Sequence, residues 1–166
     1  MFSYLKGFVE SRELLVNLTL REVRGKYKGT ALGQLWSLAN PFAAMLVYTF
    51  VFSFIFRIQP PPGDPSGLDL FPVWLVVGLI PWMFFVSVLN AGVSSLVGNS
   101  DLIQKVYFFR PVLPLSFVLS IAYNWVFEMA VLIVILALVG SFIWPWIPLI
   151  LVVMILMTIF AAGLAL

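Results

Sequence analysis

The stretch LWSLANPFAAMLVYTFVFSFIF, residues 35–56, decides the fold of this chain. It carries no charged residue, and as an α-helix its length would be about 33 Å. Because the hydrocarbon core of a bilayer is about 30 Å thick, the stretch predicts a transmembrane helix. Asn40 and Pro41 lie near its start, and this pair is typical of the beginning of a helix. We therefore expect either a kink at Pro41 or a short, re-angled helix over 31–39 that leads into the span.

The composition of the whole chain points to the same class of protein. Of its 166 residues, 63% are hydrophobic and 10% are charged, whereas about 25% are charged in a soluble domain. We expect an all-α polytopic membrane protein with an N-terminal amphipathic, interfacial segment over 1–28. A transmembrane domain is expected over 29–166, with four spans at about 35–56, 71–97, 112–139 and 147–166. The chain stops inside an apolar run, which suggests a fragment of a longer protein.

The residues that are missing exclude several kinds of chemistry. The chain contains no cysteine and no histidine, which excludes disulfides, cysteine nucleophiles, Ser-His-Asp triads and the usual zinc sites. It also contains no Walker-type phosphate-binding loop, so any work on nucleotides would take place on another chain. We expect no catalytic residue, no metal and no cofactor on this chain.

The N-terminal segment combines an apolar stripe with a basic one. At helical spacing, the apolar stripe comprises Val16, Leu20, Val23 and Tyr27, and the adjacent stripe comprises Asn17, Arg21, Arg24 and Lys28. This pattern favours a helix at the membrane–water interface over an ordinary solvated helix, since a span follows closely. The basic residues Arg21, Arg24, Lys26 and Lys28 could bind another phosphate-bearing ligand, but binding of anionic lipid headgroups is favoured.

Charge bias predicts the orientation of the four spans. The first 28 residues hold six of the nine basic residues, and the 99–110 segment holds two more. The 57–70 loop has one base against two acids, and the 141–148 turn has no charge. Because positive charge accumulates on the cytoplasmic side, both basic segments are expected in the cytoplasm and the two remaining loops outside.

A short polar helix is predicted between the second and third spans, within NSDLIQKVYFFRPVLP, residues 99–114. Asn99 or Ser100 can cap it, and Pro111 ends it after about three turns, which is too short for stability in isolation. The helix could pack on the cytoplasmic ends of its own spans or dock on a cytosolic partner. The residues alone leave these two interpretations even.

Two longer stretches resemble a known family. Residues 20–56, LREVRGKYKGTALGQLWSLANPFAAMLVYTFVFSFIF, and 78–116, GLIPWMFFVSVLNAGVSSLVGNSDLIQKVYFFRPVLPLS, are similar to the permease subunits of ABC exporters. These exporters move polysaccharides and lipid-linked glycans of the O-antigen, capsule and teichoic-acid type. Family members often have proline in place of Phe109 and an acid in place of Pro111, which puts the end of the short helix in doubt. They also have six spans, which supports the fragment interpretation.

The resemblance implies roles for particular residues and partners. The ATPase-coupling helix would comprise Asp101, Leu102, Gln104, Lys105, Tyr107 and Arg110, and an interfacial gate helix would carry Arg21, Arg24, Lys26 and Lys28. The implied partners are a second copy of the chain, a cytosolic ABC ATPase dimer that binds ATP and Mg, membrane lipids and the lipid-linked glycan, but no nucleic acid. The implied location is the bacterial cytoplasmic (inner) membrane, with a cytoplasmic N-terminus and multiple passes.

Two features inside the spans are candidates for function. Tyr48, Phe52 and Phe56 form an aromatic stripe that could stack on sugar rings along a glycan path, or could contact lipid and neighbouring helices. Glu128 is an intramembrane acid, and such residues usually face a bundle interior or water. A structural, hydrogen-bonded role with Asn124, one turn earlier, is favoured over proton transfer.

Three functions remain open at this level. The first is the permease subunit of an ATP-driven exporter, without its own catalytic site. The second is an ATP-independent secondary transporter or flippase, which should carry charged or broken helices around a midplane site. The third is a structural membrane subunit, which would tolerate loss of the aromatic stripe.

Overall fold

The computed structural model describes residues 12–31, 33–58, 61, 63, 69–98, 111–141 and 143–166, and this part of the chain contains helices and no strand. In chain order the α-helices are α1 (Arg12–Tyr27), α2 (Ala39–Thr49), α3 (Phe71–Gly98), α4 (Val112–Leu138) and α5 (Ile147–Ala165). Four segments are long and apolar enough to cross a membrane: Gly33–Ile55, Phe71–Ser95, Val112–Leu138 and Trp144–Ala165. The all-α polytopic fold is therefore confirmed, and these segments lie close to the expected spans.

The first span is built from three kinds of helix. A 3₁₀ segment, Gly33–Leu38, leads into α2, which continues as a π-helical turn over Phe50–Ile55. Of the two alternatives for Pro41, the short leading helix is right, because Pro41 lies in the first turn of α2, where its missing N–H has no helical partner to lose. Asn40 does not cap α2, since Leu38 occupies the N-cap position.

The core lies where α3 and α4 pack along each other. At its centre the rings of Phe84 and Trp125 stack at 3.9 Å between centroids and 12° between planes. The helix α3 continues through Pro81, and α5 packs on both α3 and α4. The largest cluster of buried apolar side chains comprises Val76, Ile80, Phe84, Val88, Val118, Trp125, Leu132, Leu136, Met154 and Ala161.

The helix α1 lies along the first half of α4. Leu18 packs on Val112 and Leu113 at the start of α4, and Tyr27 reaches Asn124 about 18 Å further along. In the single chain Val16 and Leu20 of the predicted apolar stripe are exposed, as side chains that face lipid would be, while Leu18 outside the stripe is buried against α4. The position of α1 at the membrane interface stays a prediction.

The outer helices bury little of their surface. In the most apolar window of each span, 6% of the first and 11% of the fourth is buried, against 28% of the third. The first and fourth spans therefore leave broad apolar faces for lipid or another chain. The predicted coupling helix within 99–110, with all six of its named residues, lies outside the described residues.

Candidate functional site

A cavity of about 760 Å³ lies between the end of α1, the first span, α3 and α4. Its polar lining comprises Lys26, Tyr27, Thr30, Ser37, Asn40, Ser87, Asn124 and Glu128. Its aromatic lining comprises Tyr27, Trp36, Tyr48, Trp82, Phe84 and Trp125. Lone polar side chains between membrane helices are costly, so their concentration around one cavity indicates a site rather than a packing defect.

A hydrogen bond between α1 and α4 forms one wall of the cavity. The Tyr27 hydroxyl donates to Asn124 Oδ1 at 2.9 Å, and Asn124 Nδ2 donates to the Ser120 carbonyl at 3.1 Å. Burial raises the pKa of Tyr27 and outweighs the opposing effect of the Ser37 hydroxyl, so Tyr27 stays protonated at neutral pH and can donate. The expected bond between Asn124 and Glu128 is not the one found, because the Asn124 amide is engaged by Tyr27 and Ser120.

Glu128 lines the cavity from the same face of α4 as Asn124. Counted from Val112, where α4 begins, Glu128 lies about 24 Å along a helix of 27 residues, past its middle. Lys26 and Tyr27, from the end of α1, line the same cavity as Glu128. The sequence did not connect these two titratable residues with Glu128, because they lie about a hundred positions earlier in the chain.

Two buried polar atoms at the cavity lack a hydrogen-bond partner within the described part of the chain. One is Trp125 Nε1, whose side chain is 2% exposed, and the other is Ser37 Oγ. The Ser37 hydroxyl nevertheless lies near enough to Tyr27 to lower the pKa of the phenol. Neither residue was singled out from the sequence, since a tryptophan and a serine in an apolar helix carry no distinguishing pattern.

The aromatic stripe of the first span is a ladder of neighbouring rings. Tyr48 and Phe52 are 6.1 Å apart between centroids, and Phe52 and Phe56 are 5.8 Å apart. Phe71 of α3 joins the ladder at 6.4 Å from Phe52. Because Tyr48 also lines the cavity, the ladder connects the cavity to the far end of the first span.

The four basic residues predicted on α1 fall into different environments. Arg21 forms an ion pair with Glu22 at 2.9 Å on the exposed surface. Lys26 Nζ lies 5.7 Å from the centre of the Tyr27 ring and lines the cavity. Arg24 and Lys28 are exposed. The structure therefore brings one of the four basic residues to the same cavity as Glu128 and Tyr48.

Comparison with curated proteins identifies the relatives of this chain. It is 35% identical over 142 residues to the O-antigen export system permease protein RfbA of Klebsiella pneumoniae, covering 83% of this chain and 52% of that protein. RfbA of Myxococcus xanthus is 32% identical over 145 residues, covering 87% of this chain and 52% of that protein. Over most of its length this chain is therefore similar to permeases of polysaccharide export systems.

The chain is also 32% identical to the polysialic acid transport protein KpsM of Escherichia coli, over 69% of this chain and 40% of that protein. It spans about half the length of the curated relatives that it matches most extensively. Neither a family model nor a solved structure matches it. In the described part of the chain, no group of three or more His, Cys, Asp or Glu side chains could hold a metal ion.

Proposed function

We propose that this chain is the membrane-spanning part of an ATP-driven exporter that moves a polysaccharide or lipid-linked glycan out across the bacterial cytoplasmic membrane. The observation that carries the proposal is 35% identity to an O-antigen export permease over 83% of this chain. The ladder of aromatic rings in the first span also supports the proposal, because flat aromatic faces stack well on the apolar faces of sugar rings.

In this proposal the chain binds and guides the cargo and makes or breaks no bond. A glycan would pass from the cavity along Tyr48, Phe52 and Phe56, whose rings follow one another at close to 6 Å. Two copies of the chain would enclose the path between them. The exposed aromatic face of the first span supports this arrangement, since Phe54 is 73% exposed and Phe56 is 63% exposed in the single chain.

The ATPase would act on this chain through residues 99–110. This segment joins the end of α3 to the start of α4, the two helices with the most extensive mutual packing. A force applied to the segment by an ATPase would therefore act directly on the best-packed pair in the permease. The polar residues Asp101, Gln104, Lys105 and Arg110, together with Leu102 and Tyr107, would make the contact, and ATP and Mg would be bound by the ATPase.

The test is to purify the tagged, full-length protein in mild detergent and identify the chains that accompany it. We expect a nucleotide-binding ATPase at one-to-one stoichiometry. The variant Lys105→Glu should lose both the ATPase and glycan export, whereas the matched charge reversal Arg57→Glu, between the first two spans, should keep both. If Lys105→Glu retained the ATPase and export, the assignment of residues 99–110 as the coupling segment would be wrong.

An ATP-independent secondary transporter is the second candidate. The observation that favours it is that Glu128 and Lys26 both line a cavity between membrane helices, where such transporters place their coupling residues. The same purification separates the two candidates, because a secondary transporter would come without any nucleotide-binding subunit and would export in cells depleted of ATP.

A further inference from the structure

We propose that Trp82 is a gate in the wall of the cavity, through which an apolar molecule dissolved in the bilayer can enter from the side. The gate opens when the Trp82 ring swings over Gly78, into a groove on the surface of α3. The inference does not depend on what the chain transports, because it concerns a route into the cavity and the residues that control it.

The groove lies along α3 between Trp74 and Trp82, whose side chains are 57% and 63% exposed. Its volume is about 540 Å³, and because the two residues are two helical turns apart, it is about 12 Å long. The side chains that line it are aliphatic or tryptophan. It belongs to Phe71–Ser95, a segment long and apolar enough to cross a membrane, so in this proposal acyl chains of the bilayer fill it.

Trp82 is the boundary between the groove and the cavity. It lines both spaces, as does the half-buried Leu79, whereas Trp74 lines the groove but not the cavity. On the cavity side the lining includes charged and hydroxyl-bearing residues, and on the groove side it is apolar. The Trp82 ring therefore stands between a polar space and an apolar one.

Two features of α3 give the Trp82 ring room to move. Long side chains on a helix lean toward its N-terminus, so the ring reaches back toward Gly78, one turn earlier. Gly78 has no side chain, and nothing lies within 4 Å of a Cβ atom built there. A large side chain on a helix has two common χ1 rotamers, and space is present on both sides of Trp82. The ring can therefore close the cavity wall in one rotamer and lie over Gly78 in the other.

Pro81 loosens the backbone that carries the gate. The helix α3 continues through Pro81, but proline has no N–H, so the Val77 carbonyl lacks the helical hydrogen bond it would otherwise accept. A missing hydrogen bond in the turn before Trp82 lowers the cost of the small backbone shift that accompanies a change of rotamer in so large a ring.

The test uses a single cysteine as a reporter, since this chain has no cysteine of its own. The full-length protein, otherwise free of cysteine, carries Ser87→Cys, which lines the cavity, and is placed in nanodiscs. The rate of alkylation is measured with N-dodecylmaleimide, which partitions into the bilayer, and with a sulfonated maleimide, which stays in water. Ser94→Cys, two turns along α3 and outside both linings, serves as the reference for each reagent.

We expect Trp82→Ala to raise the rate for N-dodecylmaleimide at Ser87→Cys several-fold and to leave the rate for the sulfonated maleimide unchanged. The matched control is Trp74→Ala, which removes the other exposed tryptophan of the groove and should change neither rate. Gly78→Leu fills the space into which the ring swings, at a position whose Cβ atom has no neighbour within 4 Å. This variant should slow the reaction with N-dodecylmaleimide several-fold.

Three results would overturn the proposal. Equal acceleration of both reagents by Trp82→Ala would mean that the ring only fills space in the cavity. An N-dodecylmaleimide rate that is insensitive to Trp82→Ala would mean that another protein chain, not lipid, covers the groove. An unchanged rate in Gly78→Leu would mean that the ring does not swing over Gly78. Because the assay needs neither an ATPase nor a glycan, its failure would leave the export proposal to its own purification test.

Discussion

Asn124 is the residue at which α1 and α4 are joined by a side-chain hydrogen bond. It is 3% exposed, and its amide oxygen and nitrogen are taken by Tyr27 and by the Ser120 carbonyl. Among membrane helices, packing supplies little hydrophobic driving force, so hydrogen bonds of this kind contribute visibly to how two helices are held. The bond therefore fixes the end of α1 against the third span beside the cavity.

Replacing Tyr27 by phenylalanine tests this role. The change leaves the buried Asn124 oxygen without its donor, which should cost about 1–3 kcal/mol of stability. Thermal unfolding of the purified protein in detergent should show a lower midpoint. The matched control is Tyr123→Phe, because Tyr123 lies on the same helix as Asn124 and is 54% exposed. The Tyr123→Phe protein should unfold at the same midpoint as the parent protein. Equal midpoints for the two variants would mean that the hydrogen bond does not hold α1.

Arg57 ends the π-helical turn of the first span in a left-handed backbone conformation. Its φ is +53°, which strains a side chain that has a Cβ atom, whereas glycine adopts this conformation without strain. We expect Arg57→Gly to raise the stability by up to about 1 kcal/mol, and Arg57→Val, which is branched at Cβ, to lower it. The midpoint of thermal unfolding should be higher for Arg57→Gly than for the parent protein, and lower for Arg57→Val. A more stable Arg57→Val protein would contradict the assigned conformation.

At this scale the sequence identified some site residues and missed their neighbours. Glu128 could be found because a carboxylate inside an apolar span is rare and costly. Tyr48, Phe52 and Phe56 could be found because helical periodicity alone puts them on one face. Lys26 and Tyr27 could not be connected with Glu128, since the connection depends on how α1 packs against α4, and no local pattern records that.

Gly92 allows the backbones of α3 and α5 to approach each other closely. A Cβ atom on Gly92 would lie 2.8 Å from the Ala165 carbonyl oxygen and 2.9 Å from its Cα. Because these are backbone atoms, the helices would have to move apart, which costs about 1–3 kcal/mol. Gly92→Ala should therefore lower the midpoint of thermal unfolding.

Gly78 provides the control for this prediction on the same helix. Nothing lies within 4 Å of a Cβ atom built there, so Gly78→Ala should be neutral or gain up to about 1 kcal/mol from helix propensity. A Gly92→Ala protein as stable as Gly78→Ala would show that α3 and α5 do not make this contact in the membrane.

The spans were predictable because each depends on a local property. A charge-free stretch of more than twenty residues has few alternatives to a membrane helix, so the expected bounds lie within a few residues of those found. The 3₁₀ and π-helical parts of the first span were not predictable, since the sequences GQLWSL and FVFSFI have no feature that separates them from an α-helix.

For the whole molecule, the cavity exists because helices that are distant in the chain meet around Glu128. The sequence could place each helix in a membrane but could not say which faces would be shared. The low burial of the first and fourth spans leaves their apolar faces for lipid or another chain. Whether a cargo would move outward or inward from the cavity along the aromatic ladder then depends on the orientation of the chain in the membrane.

The orientation is a prediction that can be checked without knowledge of the cargo. Six of the nine basic residues precede position 29, so α1 should lie on the cytoplasmic side, and the loop that contains Asp69 should lie outside. In intact cells with the outer membrane made permeable, an impermeant maleimide should label Asp69→Cys at once, and Asn17→Cys only after the inner membrane is opened. Both positions are exposed in the structure, so neither result would be due to burial.

This orientation places Lys26 toward the cytoplasmic entrance of the cavity and Phe56 at the outer end of the ladder, as export requires. Labelling in the reverse order would mean that the same rings lead inward, and the proposed direction of transport would have to be abandoned.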